Sequence, residues 1–257
     1  MALLNLGSWN QLGAQVEMGI EVSAAKVVTI NDQHEIGVDT SVAGNPIFGK
    51  FKGITLVHVF SRNQKGSRRD DGNPLIHALK GRRGFSITEF WKGRLMARAR
   101  TILASIPNSL EGFDYCLPMP SSSPFCTQFA AEVSAVSGAP ILDSSFLRKR
   151  TVGELLADIG ANPPKVRESA KGAFKSQLHA WQRMDPAATY QAKDVEVALR
   201  QHFPPFVPDG DPPDVAGKRI LVVDDVFATG TSLASVREIV QNQLGARVSA
   251  IFFLSGV

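Results

Sequence analysis

The chain has 257 residues, 44% hydrophobic and 20% charged, enough apolar material for a large domain with its own core and too much for a disordered chain. Its formal charge of +4, from 28 Lys and Arg against 24 Asp and Glu, is a mild excess compatible with phosphate or nucleic-acid ligands. Two cysteines, Cys116 and Cys126, exclude a four-thiolate metal site and a disulfide-stapled mini-domain; no apolar run approaches the roughly 18 to 20 residues of a membrane span, so a cytoplasmic setting without membrane contact is expected.

In chain order, Lys26–Ile30 and Ile54–Phe60 are short β-branched runs between Asn, Asp and Gly turn signals, so residues 1–74 read as a small β-rich appendage. Ser61–Asn73 has no apolar period and reads as an exposed joint. Ser86 with Glu89 predicts a capping box and a long helix to Ile106. A strand at 113–117, a helix at 125–136 and a short strand at 139–142 follow, then a strand at 219–223, a helix at 231–243 and a strand at 248–254. This alternation predicts an α/β domain over 75–257 with a parallel sheet flanked by helices. It is broken by an insert at about 175–216, with helices expected at 175–184 and 188–202 and an exposed proline-rich loop at 203–213.

The strongest signal is the turn after the apolar strand, Asp224-Asp225-Val-Phe-Ala228-Thr229-Gly230-Thr231-Ser232. Backbone amides of Ala228 to Ser232 at the carboxyl end of a parallel strand can wrap a phosphate, with a helix dipole behind them. Gly230 permits close approach, and the hydroxyls of Thr229, Thr231 and Ser232 add donors. The adjacent carboxylates Asp224 and Asp225 can accept from two vicinal sugar hydroxyls or act through a hydrated magnesium ion, which makes them the candidate metal ligands. Together these residues describe a ribose 5-phosphate pocket. A response-regulator receiver also opens on paired aspartates, but only 32 residues follow Asp225, too few for that fold. Gly44 to Lys50 has P-loop spacing, yet Phe51 stands where Ser or Thr is required.

This stretch closely resembles the signature of type I phosphoribosyltransferases, which bind phosphoribosyl pyrophosphate with magnesium and transfer its ribose-phosphate at the anomeric carbon. The resemblance implies that Asp224 and Asp225 hold the ribose hydroxyls and that Ala228 through Ser232 hold the 5-phosphate. Further echoes, in order, are similar to the ComF branch of that family: His77-Ala-Leu-Lys80-Gly-Arg82, Phe113 through Pro120, Leu147-Arg148-Lys149-Arg150-Thr151, Arg167 through Phe174, and Gly217-Lys218-Arg219. Pro120, Ser121, Ser122 and Ser123 then correspond to the pyrophosphate loop, here without positive charge, and Arg148, Lys149 and Arg150 become the catalytic cations that neutralise the pyrophosphate. The branch often carries an amino-terminal cysteine-rich zinc module, and this chain has no cysteine before Cys116. Its additions suit a partner, a lid or a homo-oligomer contact. ComF-like proteins also occur as toxic effectors of bacterial anti-phage systems such as retrons, restrained by a nucleoprotein, and an altered loop and amino terminus suit that setting too.

From Arg62 to Arg100, 11 Lys and Arg face only Asp70, Asp71 and Glu89. Arg82, Arg83, Arg94 and Arg98 in this block form a candidate surface for nucleic acid or a nucleoprotein partner, separate from the sugar-phosphate pocket. The five histidines show no metal-ligand spacing.

Overall fold

A computed structural model describes residues 19–33, 37–62, 73–106, 110–121 and 123–255 of the chain. Much of the expected joint, including Lys65, Arg68 and Arg69, therefore lies outside the described residues, as does Ser122. The chain runs through β1 (Gly19–Val22), β2 (Val27–Asn31), β3 (Val38–Asp39), β4 (Ile47–Phe51), β5 (Ile54–Arg62), α1 (Pro74–Leu79), β6 (Ser86–Ile87), α2 (Glu89–Ala104), β7 (Tyr115–Pro118) and α3 (Pro124–Ser137). It continues with β8 (Leu147–Lys149), α4 (Val152–Ala161), α5 (Lys171–Trp181), β9 (Phe206–Pro208), β10 (Arg219–Val226), α6 (Thr231–Arg237) and β11 (Arg247–Leu254).

Four parallel strands stand side by side in the order β5, β11, β10, β7, with β3 and β4 antiparallel along the outer edge of β5. The central strands are apolar on both faces, as a parallel strand covered by helices must be. On one face Val57, Val59, Leu221, Val223, Ile251 and Phe253 pack against α2 and α3; on the other, Leu56, Val222, Ala250 and Phe252 pack beneath α6. Mixed α/β architecture with a helix-flanked parallel sheet is thus what the chain adopts.

Several local expectations change. The strand expected in the amino-terminal appendage, Ile54–Arg62, is a member of the main sheet, and Ile20, Val28 and Ile30 share a core with Leu95 and Phe253. A boundary at residue 74 therefore does not separate two cores. Ser86 does not cap the long helix, because its backbone joins β2; Thr88 does, its hydroxyl accepting from the amide of Trp91. The stretch 139–142 makes a single bridge, Cys116 to Ile141, rather than a strand.

The insert shares a third core with the chain before it: Val152, Leu155 and Phe174 pack with Trp181, Tyr190, Leu199 and Phe203. Its second expected helix is two short 3-10 turns, Ala192–Asp194 and Val197–His202. The reason lies just before them, where the amide of Val152 binds the Ala188 carbonyl and that of Tyr190 binds the Arg150 carbonyl, drawing 188–190 into extended pairing. The proline-rich stretch is not simply an exposed loop: Phe203 and Phe206 are buried, and Phe206–Pro208 pairs antiparallel with Leu147–Lys149. Among the described residues no helix is long and apolar enough to cross a membrane.

Candidate functional site

β10 delivers Asp224 and Asp225 to the carboxyl end of the sheet, and the strand period of two sends them to opposite faces. Asp224 follows Val222 onto the α6 side; Asp225 follows Val223 onto the side covered by α1, α2 and α3. Asp225 is buried, and its carboxylate forms an ion pair with the ammonium of Lys80, the residue that ends α1. Asp224 accepts the amide of Asp225 at 2.8 Å and lies 4.0 Å from the thiol of Cys126. Burial first, and then the charge of Asp225, push the Asp224 carboxyl up to about 8, while the charges of Lys80 and Lys149 pull the other way. Cys126 lies 3.4 Å from the Val223 carbonyl oxygen, and burial lifts its thiol far above the usual range, so it packs as a neutral thiol and is no nucleophile.

Beyond the strand, Phe227 to Gly230 form the loop, and Thr231 and Ser232 begin α6. Gly230 has φ +73° and opens α6; the hydroxyls of Thr229 and Thr231 lie 3.0 Å apart. Another part of the molecule holds this loop. β4 and β5 are joined by Lys52 and Gly53, both at positive φ, a two-residue turn of the type that matches strand twist. Its tip lies on the loop: the Phe51 ring sits 2.4 to 2.8 Å from where a Cβ of residue 230 would be, and meets Phe227 edge to face at 5.4 Å. Arg237, at the other end of α6, donates to the Lys52 carbonyl at 2.8 Å. Gly44 to Lys50 thus lead into a β-hairpin, without the helix a P-loop requires. Gly230→Ala is expected to cost about 1–2 kcal/mol from the left-handed backbone alone, before the Phe51 clash is counted; a thermal melt checks this, and a melting temperature equal to wild type would contradict it.

On the opposite side of Asp224, the loop after β7 runs through Met119 and Pro120 to Ser121 and Ser123. The amide of Met119 binds the Val223 carbonyl, which fixes this loop beside β10. Ser123 is buried and caps α3, its hydroxyl accepting from the amide of Phe125, while Ser121 is exposed and accepts the amide of Ser123. Of the three expected cations, strand alternation brings one towards the site. Leu147 enters the core beneath α6, and Lys149, two residues on, shares its side; its charge acts on Asp224. Arg148 and Arg150 turn to α4. Arg148 donates to both oxygens of Glu154, at 2.8 and 2.5 Å, and lies 3.4 Å from Asp209; Arg150 donates to Asp158 at 2.6 Å.

The basic block is partly internally neutralised. Arg98 binds Asp32 at 2.8 Å and the Thr40 hydroxyl at 3.0 Å, and Arg94 approaches the same Asp32 at 3.5 Å. Arg100 donates twice to Glu132. Arg82 and Arg83 are exposed on the turn after α1.

The expected magnesium ion fits the two aspartates poorly. Joint chelation needs oxygens converging on one centre at roughly 2.1 Å, but these side chains leave opposite faces of one strand and one of them is bound to an ammonium. Among the described residues no group of three or more His, Cys, Asp or Glu is placed to hold a metal.

Lys80, Cys126 and the Phe51 hairpin tip were not read from the sequence as site residues. Lys80 lies inside the stretch His77 to Arg82, and for Phe51 the Lys52-Gly53 turn is the one local signal. Compared with known proteins, the chain matches no family model and no curated protein.

Proposed function

We propose that this chain is a ComF-like phosphoribosyltransferase-fold protein that binds phosphoribosyl pyrophosphate at the carboxyl end of its parallel sheet and transfers or hydrolyses the phosphoribosyl group. The observation that carries the reading is the end of β10, where a half-buried carboxylate leads directly into a loop whose Gly230 takes the left-handed conformation at the start of α6. In this reading Asp224 accepts from the ribose hydroxyls, and the amides and hydroxyls from Ala228 to Ser232 take the 5-phosphate. Pro120, Ser121 and Ser123 border the diphosphate, with Lys149 as the nearby cation. Magnesium then belongs to the diphosphate of the ligand.

Departure of a diphosphate from the anomeric carbon leaves positive charge on the sugar ring. Positive charge developing on the ring favours the ionised form of Asp224 beside it, whose field in turn stabilises that charge, and Lys149 stabilises the leaving group. Arg148 and Arg150 support α4 instead.

Calorimetry with phosphoribosyl pyrophosphate and magnesium tests this reading. Wild type is expected to bind; K149Q is expected to bind roughly 10-fold more weakly, the cost of one charge-assisted contact, while R148A stays within about twofold. Absence of heat with wild type would overturn the proposal, and equal effects of K149Q and R148A would overturn the division among the three cations.

A further inference from the structure

We infer that the ammonium of Lys80 is the resident counter-cation of the Asp224–Asp225 pair, standing in for a protein-held divalent ion, so that the sugar-phosphate part of a ligand binds without metal. The inference about the counter-cation stands on the ligand-free protein; its consequence for the ligand rests on the function proposed above.

Two adjacent acids at the end of a buried strand cannot both ionise without positive charge nearby, since an unpaired buried charge is strongly unfavourable. Magnesium is one way to supply it. Here α1 supplies it from within the chain. Asn73 caps this helix, its side chain accepting from the amide of Leu75, and Leu75, Ile76 and Ala78 anchor it in the core. The helix ends at Lys80, whose side chain is 12% exposed and reaches Asp225, 3% exposed. Lys80 pairs with Asp225 directly, and its field also reaches Asp224.

The remaining surroundings oppose a second cation. Strand alternation keeps the carboxylates from sharing an ion on one side. A divalent ion on Asp225 would have to displace the ammonium, and one on Asp224 would meet the fields of Lys80 and Lys149 together with the neutral Cys126 thiol at 4.0 Å. Lys80 is thus a positioning residue: it holds Asp225 away from the ligand and leaves Asp224 as the acid that touches it.

Two measurements on the full chain test this. The first titrates ligand-free protein with Mn2+ and follows water-proton relaxation. No site tighter than roughly millimolar is expected, the weak affinity of an isolated carboxylate; a micromolar site abolished by D225N would overturn the inference. The second is calorimetry with ribose 5-phosphate, which lacks a diphosphate to carry its own metal. Affinity is expected to agree within about twofold in chelator and in magnesium, because one charge-assisted contact with a metal would change it by about 10-fold or more. A requirement for magnesium would overturn the inference. K80R is expected to keep this metal independence, and K80M to lose at least about 10-fold in affinity in chelator. Where K80M does not fold, the Mn2+ titration and K80R decide. Failure of wild type to bind ribose 5-phosphate in any buffer would count against the proposed function, while the Mn2+ titration would still settle the counter-cation.

Discussion

Replacing Asp224 with asparagine is expected to weaken phosphoribosyl pyrophosphate binding by about 100-fold at pH 8 and above, where Asp224 is ionised, the loss of two charge-assisted hydrogen bonds to sugar hydroxyls, and at the same time to stabilise the folded protein above neutral pH. The stability effect follows from the raised carboxyl. Its ordinary value is 3.8 and burial with Asp225 alongside lifts it to about 8. Between those values the folded chain holds a proton that the unfolded chain has released, so wild-type stability falls as pH rises from about 4 to about 8 and then levels. Asparagine keeps an oxygen to accept the Asp225 amide, as Oδ1 does at 2.8 Å, and carries no charge to desolvate. The melting-temperature difference between variant and wild type should therefore be small near pH 4 and grow towards pH 8, reaching about 3 °C or more where one kcal/mol is gained. Thermal melts across that range, paired with calorimetry, check both halves. A variant less stable than wild type at pH 8 would show that Asp224 is structural. Stability conceded for a charged, partly desolvated group is the usual mark of a functional position.

Replacing Lys80 with methionine has the opposite sign and a larger effect on the fold. It leaves the Asp225 carboxylate buried without its partner, a change that costs about 3–5 kcal/mol, or on the order of 10 °C in melting temperature for a chain of this size. The double variant K80M/D225N removes both charges and is expected to recover most of that loss, so the cycle should show strong coupling. Additive effects in urea unfolding would mean that the ion pair, although formed, contributes little beyond its separate members.

Much of this arrangement was legible in the sequence. The apolar run Ile220 to Val223, the acids after it and the Gly230 turn announced a buried parallel strand entering a glycine-containing loop and a helix, because those signals are local and redundant. The period of two also applied to Asp224-Asp225 and to Arg148-Lys149-Arg150, and it separates each group across a strand. What alternation alone does not reveal is which side meets the ligand, since that depends on packing partners distant in sequence. Lys80 and the Phe51 hairpin tip reach the end of β10 through the sheet and core, and nothing near them in sequence names that destination. For the same reason Ile54 to Phe60 was recognisable as a strand but read as part of an appendage: its pairing with β11 joins the early chain to its last strand. In the insert, pairing of 188–190 with 150–152 overrode a plausible helix.

The most direct measurement is a crystal structure with phosphoribosyl pyrophosphate bound. The ribose hydroxyls are predicted on Asp224, the 5-phosphate on the amides of Ala228 to Ser232, the diphosphate beside Ser121 and Lys149, and Asp225 still on Lys80. A ligand bound away from the end of β10, or seated there with its phosphate outside the Gly230 loop, would contradict the account.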